Sequence, residues 1–130
     1  MTEAVPVVLD ASALLAWLHD EPGAEVVDPL LPGSVLSTVN LAEAWQKLDQ
    51  HGTDADRALR RVRLLGVRTE PFSDDDAVRA ARLWSRGHRA GLSLGDRCCL
   101  ALAVRLGTPV LTADRAWREI ETPVEVRVIR

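Results

Sequence analysis

Short apolar runs alternate with longer amphipathic stretches along the whole chain. The first run, "VPVVL" at residues 5–9, is rich in valine and has no polar alternation. That pattern is typical of a strand buried on both faces of a parallel sheet. Similar runs predict four further strands, at residues 34–38, 67–72, 109–113 and 124–129. Strands that alternate with helices predict an α/β fold with a mostly parallel sheet.

The amphipathic stretches begin and end at recognisable helix signals. Ser73 has the spacing of an N-cap to Asp76, and the acids that follow it favour the positive end of the helix dipole. Gly52, Gly66 and Gly107 end three of the stretches. Helices are predicted at residues 12–19, 24–31, 40–52, 54–66, 73–87, 94–107 and 114–121, with a loop at 88–93.

Composition narrows the class of protein. The chain has 130 residues and is 47% hydrophobic, which is enough to form one domain, residues 1–130, around a core. No apolar segment approaches the roughly 20 residues that span a bilayer, and the start lacks the basic residues of a secretory signal. We therefore expect a cytoplasmic protein that does not bind membranes. The net charge of −3 argues against a simple cationic coat for nucleic acid.

The two cysteines, Cys98 and Cys99, are adjacent and cannot form a disulfide framework. They are predicted to be small buried helix residues in a reducing compartment. Neighbouring helix positions point in different directions, which argues against a zinc site with the nearby His88.

Acidic residues stand at four of the predicted strand-to-helix connections. Asp10 follows the first strand and Asp114 follows a later one, whereas Glu43 and Asp96 lie near the starts of two helices. In α/β sheets ligands bind beyond the carboxyl ends of the strands, and right-handed crossovers bring all four acids to that side. The four acids are therefore candidates for one shared site.

Taken alone, each of the four acids is explained by a structural role as a helix cap. Such caps are more common than functional acids. Asp10 and Asp114 lie at the starts of predicted helices, where an N-cap is expected. The other two have capping-box spacing from Asn40 and from Ser93. The joint pattern, with one acid at each of four connections, favours a functional site.

Clustered carboxylates repel and desolvate one another, so such a cluster needs a cation. Oxygen ligands select a hard ion, Mg²⁺ or its substitute Mn²⁺, which can activate water and stabilise a phosphoryl group during hydrolysis. Ser12 and Thr112 each lie two residues from one of the acids, where a hydroxyl can orient a carboxylate.

Four segments resemble the acidic motifs of PIN-domain ribonucleases in order and approximate spacing. They are "VVLDASALLAW", "STVNLAEAW", "LSLGDRCCLALA" and "VLTADRAW". The chain is most similar to the VapC-type toxins of type II toxin–antitoxin systems, from residue 7 to about residue 128. The resemblance implies a PIN-like three-layer α/β/α fold with a small, mainly parallel central sheet of about five strands.

The resemblance also implies an activity and partners. Proteins of this family use Mg²⁺ or Mn²⁺ to hydrolyse RNA (tRNA, rRNA or mRNA), pair as homodimers and are neutralised by a cognate antitoxin. The positions that match the metal-binding carboxylates are Asp10, Glu43, Asp96 and Asp114. The positions that match the polar supports are Ser12, Asn40 and Thr112.

Arginines flank the same motifs. Arg97 follows Asp96, where a small residue is common in the family, and we predict that it contacts RNA or the antitoxin. Arg89 and Arg115 are predicted to hold the RNA backbone, with a solvated arginine as the alternative. The four tryptophans are predicted to pack in the core or at an interface rather than to stack on bases.

Other functions fit the sequence less well. A non-catalytic PIN-like module that binds RNA or protein remains the main alternative. The three histidines form no triad with a serine or cysteine, so covalent catalysis is unsupported. A receiver domain is disfavoured because the sole lysine, Lys47, lies inside a predicted helix, and an aspartyl-phosphate phosphatase because Ser12 replaces its second acid.

Overall fold

The computed structural model describes residues 6–130, so Val5 of the first predicted strand lies outside the described residues. Within that range, five short strands form one sheet in the order β3-β2-β1-β4-β5, and every pairing is parallel. The strands are β1 (Val8–Leu9), β2 (Val35–Ser37), β3 (Arg68–Glu70), β4 (Val110–Thr112) and β5 (Val126–Val128). The predicted α/β fold with about five strands is confirmed.

The helices follow the predicted stretches closely. They are α1 (Ala11–Leu18), α2 (Ala24–Val27), α3 (Thr38–Gln50), α4 (Ala55–Leu64), α5 (Asp74–Arg82), α6 (Trp84–Gly87) and α7 (Leu94–Leu106). Short 3₁₀ segments lie at Asp28–Leu30, His88–Ala90 and Arg115–Glu119.

Four predicted elements differ from the structure. The helix predicted at residues 24–31 is α-helical only over Ala24–Val27 and continues as a 3₁₀ segment. The helix predicted at residues 73–87 is interrupted at Leu83, where ψ is −10° and the hydrogen-bonding pattern tightens locally. The predicted loop at 88–93 begins with a 3₁₀ turn, and the helix predicted at 114–121 is a 3₁₀ segment. These are short connections, in which tertiary contacts rather than periodicity determine the local winding.

The sheet separates two apolar layers. Successive side chains of a strand point to opposite faces, so both faces of a buried strand must be apolar. The leucines of the three central strands pack with α1, α3 and α4, and the valines pack with α7 and Trp117. The leucines are Leu9, Leu36 and Leu111, and the valines are Val8, Val35 and Val110. The three-layer α/β/α arrangement is confirmed.

The tryptophans differ in burial. Trp117 is fully buried, and Trp17 and Trp45 pack against the core at its edge. Trp84 is 56% exposed and stacks on His88 with ring centroids 4.2 Å apart. Trp84 therefore does not pack in the core, and its packing at an interface stays a prediction.

The order of the strands determines where a ligand can bind. β1 is the central strand; the chain runs from it to β2 and β3 on one side, and later to β4 and β5 on the other. The carboxyl ends of β1 and β4 therefore meet at a topological switch point, where open α/β sheets form a crevice.

Among residues 6–130, no helix combines the length and the apolar character needed to cross a membrane.

Candidate active site

A cavity of about 230 Å³ opens at the carboxyl ends of β1 and β4. The lining brings together Asp10, which follows β1, Asp114, two residues after β4, and side chains from α1, α3 and the start of α7. The four predicted acids, Asp10, Glu43, Asp96 and Asp114, all line it. The chain topology therefore does gather them around one space, which we call the acidic cavity.

Asp10 is the most firmly held of the four acids. It caps α1 and is only 4% exposed. Its Oδ1 accepts hydrogen bonds from the Ser12 hydroxyl (2.7 Å) and the Ala13 N–H (2.8 Å), and its Oδ2 accepts one from the Thr112 hydroxyl (2.6 Å). Ser12 and Thr112, both predicted as polar supports, thus contact this carboxyl group directly.

The two hydroxyls are themselves fixed by the backbone after β4. The Ser12 Oγ accepts a hydrogen bond from the Ala113 N–H (2.9 Å), and the Thr112 Oγ1 accepts one from the Asp114 N–H (3.1 Å). Each hydroxyl therefore joins β1 to β4 through the carboxyl group of Asp10. This hydrogen-bond network fixes the carboxyl ends of β1 and β4 relative to each other.

Burial raises the pKa of Asp10 from its usual 3.8 to about 6. Hydrogen bonds from Thr112, Ala13 and Ser12 lower this pKa, and the nearby charge of Asp96 raises it further. The loss of solvation outweighs the hydrogen bonds, because the charged form is the one that burial disfavours. In the free protein, a positive charge in the cavity would therefore favour the ionised form.

Glu43 lies directly on the backbone of α7. The Asn40 amide Nδ2 donates to Glu43 Oε1 (2.7 Å) and to the Gly95 carbonyl oxygen (3.1 Å). A Cβ atom at Gly95 would lie 2.6 Å from Cδ of Glu43 and 2.8 Å from its Oε1. Only glycine therefore leaves room for the carboxylate in this position.

The predicted capping box between Asn40 and Glu43 is wrong. α3 begins at Thr38 and is capped by Ser37, whose Oγ accepts from the Val39 N–H (3.2 Å). Asn40 lies inside the first turn, only 1% exposed, and bridges to α7. Its Oδ1 is buried and has no hydrogen-bond partner among residues 6–130.

Asp96 and Asp114 cap helical segments, as predicted by the alternative that each acid is a helix cap. Asp96 forms a reciprocal capping box with Ser93, in which its Oδ2 accepts from the Ser93 N–H (2.9 Å). The Oδ1 of Asp114 accepts from the Ala116 N–H (2.9 Å). Each cap uses one oxygen of the carboxylate, so capping and a role in the cavity are compatible.

The acidic cavity contains the oxygen donors that a hard divalent cation prefers, but these donors are not arranged to coordinate one ion. Its polar lining is dominated by carboxylate oxygens, the donors that Mg²⁺ and Mn²⁺ prefer, and Lys47 also lines it. In the part of the chain that is described, no three acidic, histidine or cysteine side chains are placed to hold one ion. The donors are present, and side-chain movement is needed to ligate a metal.

The predicted arginine contacts lie away from the acidic cavity. The Arg97 guanidinium donates to the Ala80 carbonyl oxygen of α5 (2.8 Å) and does not line the cavity, so its contact with RNA or the antitoxin stays a prediction. Adjacent helix positions are about 100° apart, which turns Arg97 away when Asp96 faces the cavity. Arg115 donates to the Arg130 carbonyl oxygen (3.1 Å), and Arg89 lines a separate cavity with Glu119.

Two residues at the cavity were missed in the sequence. Lys47 lies four positions after Glu43, a spacing that puts both on one face of α3. Gly95 lies in the first turn of a helix beside an acid, where glycine has no helical advantage. The spacing of Lys47 and the position of Gly95 are both visible in the sequence. Neither identifies a site residue without the contact between α3 and α7, which the sequence does not show.

The chain matches the family model described as PIN domain over residues 7–123. It is 34% identical over 120 residues to Ribonuclease VapC of Mycolicibacterium smegmatis, covering 85% of this chain and 93% of the relative. It is 35% identical over 113 residues to Ribonuclease VapC30 of Mycobacterium tuberculosis, covering 80% and 86%. The fold is similar to the crystal structure of VapBC2 from Rickettsia felis bound to a DNA fragment from their promoter, with a TM-score of 0.72, 12% identity and coverage of 96% and 99%.

Proposed function

Since this chain belongs to the PIN-domain family, we propose that it is a metal-dependent endoribonuclease, the toxin of a toxin–antitoxin system. The observation that supports this proposal most directly is the gathering of Asp10, Glu43, Asp96 and Asp114 around one cavity. Relatives named as ribonucleases match 80% or more of the chain, which supports cleavage of RNA phosphodiester bonds.

The same four carboxylates are the proposed ligands of Mg²⁺, with Mn²⁺ as a substitute. When bound, such an ion lowers the pKa of water and stabilises charge on the phosphoryl oxygens during hydrolysis. Asp10 is the fixed member of the set, because Ser12, Ala13 and Thr112 hold both of its oxygens. Asp96 and Asp114 each have a second oxygen that makes no hydrogen bond within residues 6–130.

Asn40 has a positioning role in this proposal. Its amide donates to Glu43 and to the α7 backbone, so it sets the distance between the two helices that carry Glu43 and Asp96. Asn40 itself is buried and does not line the acidic cavity, so it acts on the site through Glu43 and the α7 backbone.

The proposed partners are an RNA substrate, a cognate antitoxin and a second copy of the chain, all in the cytoplasm. Similarity in fold to solved VapBC toxin–antitoxin complexes supports the antitoxin. The homodimer is proposed from the family.

A non-catalytic binding module is the second candidate. It is favoured by one observation, that no three potential ligands in residues 6–130 are placed to hold an ion. Titration calorimetry with Mn²⁺ on antitoxin-free protein separates the two functions. Binding that is lost in Asp96→Asn supports the nuclease, and the absence of binding supports the module.

Cleavage of purified tRNA and rRNA by antitoxin-free protein tests the nuclease directly. The reactions contain Mg²⁺, Mn²⁺ or chelator. We compare Asp96→Asn with Asp74→Asn, which removes another first-turn aspartate, in α5 and outside the cavity. Discrete cuts that need metal and fall by about 100-fold or more in Asp96→Asn alone are expected. Equal activity of the two variants would contradict the proposal.

A further inference from the structure

A second cavity, of about 520 Å³, adjoins the acidic cavity and is lined by basic side chains. The two cavities share Ser12, Leu15 and Lys47, so they form one continuous depression. Beyond the shared residues, the second cavity is lined by His19, Glu21, His51 and Arg130. We call this cavity the basic groove.

Two helices build the basic groove with regular spacing. α3 presents Glu43 to the acidic cavity, Lys47 to both cavities and His51 to the basic groove. Steps of four residues keep these side chains on one face, and eight residues span about 12 Å of helix. A ligand that extends about 12 Å along this face of α3 therefore contacts the carboxylate of Glu43 at one end and the basic side chains of Lys47 and His51 along the rest.

α1 forms the facing wall. Ser12, Leu15 and His19 follow one another at spacings of three and four residues, which again places them on one helix face. Ser12 contacts the carboxyl group of Asp10, so this wall also begins at the acidic cavity. Both walls therefore run from the four acids into the basic groove.

The basic side chains are available to an anion. Lys47 is exposed and forms no ion pair within residues 6–130. The His51 Nδ1 donates to the Lys47 carbonyl oxygen (2.7 Å), so Nε2 can donate to a phosphate when the ring is doubly protonated. Arg130 is held at the rim by the Pro22 carbonyl oxygen (3.2 Å) and by Glu21 (3.5 Å).

We propose that the basic groove binds the phosphates of the RNA strand on one side of the bond that is cut, with Lys47 on the phosphate next to the acidic cavity. This inference rests on the proposed ribonuclease function. Carboxylates that bind a metal repel a polyanion elsewhere along its length, so the adjacent backbone needs cations, and phosphate contacts position a nucleic acid. Arg97 and Arg89, two of the arginines predicted to contact RNA, lie elsewhere, and Lys47 and His51 line the groove.

The test measures binding of a fluorescently labelled, random-sequence 12-nucleotide single-stranded RNA by anisotropy. All proteins carry Asp96→Asn to prevent cleavage, and the buffer contains Mg²⁺. Lys47→Gln is compared with Arg63→Gln, which removes one exposed positive charge from α4, outside both cavities. His51→Gln is the second groove variant.

Lys47→Gln is expected to weaken binding about three- to tenfold and to reduce the slope of log affinity against log salt concentration by about 0.7, one phosphate contact. Arg63→Gln is expected to change neither. Equal effects of Lys47→Gln and Arg63→Gln overturn the groove proposal. So does a Lys47→Gln protein that binds RNA normally but has lost affinity for the antitoxin, because the groove then serves a protein.

Cleavage assays separate this proposal from the one on which it rests. If the protein without substitutions neither binds nor cuts RNA, both proposals fail. If it cuts RNA and Lys47→Gln matches Arg63→Gln in binding and cutting, only the groove proposal fails. Thermal unfolding of each variant confirms that the fold is retained.

Discussion

The proton on Asp10 couples this single residue to the stability of the metal-free protein. Its pKa is raised to about 6 because the carboxyl group is buried. A raised pKa means that folding favours the protonated form, so this contribution is present below pH 4 and is lost as the pH rises to about 6. Above that pH the folded chain carries a buried charge that is stabilised only by hydrogen bonds.

Asp10→Asn is therefore expected to stabilise the metal-free protein at pH 7, by up to about 3 kcal/mol, while it abolishes cleavage. The amide keeps an acceptor for Ser12 and Ala13 without the buried charge. Urea unfolding in chelator, from pH 4 to pH 8, measures the difference between the two proteins. The difference should grow from pH 4 to about pH 6 and then stay constant; a difference that is independent of pH would contradict the buried charge as its cause.

Gly95→Ala tests the contact between α3 and α7 at one atom. The added methyl group displaces the Glu43 carboxylate, whose far end is flexible, and alanine is the better helix former. We expect cleavage to fall about tenfold or more while the free energy of unfolding changes by less than about 1 kcal/mol. Because the loss acts through Glu43, adding Gly95→Ala to Glu43→Gln should cost no further activity. Additive losses in this double-mutant cycle would refute the contact.

At the scale of the helix, α1 is followed by a non-glycine residue with positive φ, whereas α3, α4 and α7 are followed by glycine. The Asp20 N–H donates to the Trp17 carbonyl oxygen (3.3 Å) and the Glu21 N–H to the Ala16 carbonyl oxygen (2.8 Å), which is a Schellman motif. Asp20 is the left-handed residue of that motif, with φ at 52°. The corresponding positions after α3, α4 and α7 are glycines, at Gly52, Gly66 and Gly107.

Asp20→Gly is expected to raise the free energy of unfolding by about 0.5–1 kcal/mol, because glycine adopts positive φ without a clash at Cβ. Asp20→Asn, which tolerates this conformation better than most residues, should lie between the two. Thermal or urea unfolding decides the order. A less stable Asp20→Gly protein would show that the aspartate side chain contributes more than its backbone conformation costs.

α5 is fastened to α7 by a buried ion pair. Asp76 is 1% exposed, and Arg105 donates to both of its oxygens, at 2.9 and 3.2 Å. Burial by itself raises the pKa of Asp76, but the hydrogen bonds from Arg105 and the Ser73 backbone outweigh it and lower the pKa below 3.8. The stabilisation is thus present above about pH 4 and is lost as the pH falls further, the opposite of Asp10.

Arg105→Met is expected to destabilise the protein by about 1–3 kcal/mol at pH 7, because the buried carboxylate loses two charge-assisted hydrogen bonds but keeps Arg79, 3.7 Å away, and the Ser73 N–H. The loss should shrink as the pH falls below about 4, because the Asp76 carboxyl group of the variant takes up its proton at a higher pH than it does beside Arg105. Urea unfolding of both proteins at pH 3.5 and pH 7 measures it. A loss of equal size at both pH values would assign the effect to packing of the arginine stem instead of its charge.

At the scale of the whole molecule, local patterns predicted the architecture and the gathering of the four acids. Valine-rich runs specified the strands, and the carboxyl ends of parallel strands brought Asp10 and Asp114 together. The residues that the sequence did not place correctly are those whose position depends on which helix faces pack against each other. Arg97 turns to α5 instead of the cavity, and Lys47 and Gly95 acquire meaning only where α3 approaches α7. One sequence carries no direct record of such contacts between distant segments.

Metal binding and protonation are expected to compete across the whole molecule. An ion held by the four carboxylates requires Asp10 to be ionised, and its pKa of about 6 leaves half of the free protein protonated at that pH. We expect Mn²⁺ binding to release about half a proton at pH 6 and almost none at pH 8. Calorimetric titration in two buffers of different ionisation enthalpy measures the number released.

Asp10→Glu and Asp74→Asn serve as the variants for this measurement. Asp74 lies outside the cavity, so its variant should release the same half proton. Asp10→Glu keeps a titrating carboxyl group but alters its reach, so it should bind Mn²⁺ more weakly and still release a proton. Release that does not change between pH 6 and pH 8 in the unmodified protein would mean that Asp10 does not ionise when the metal binds. The buried carboxyl of β1 would then be a structural cap, and the ion would be held by the other three acids alone.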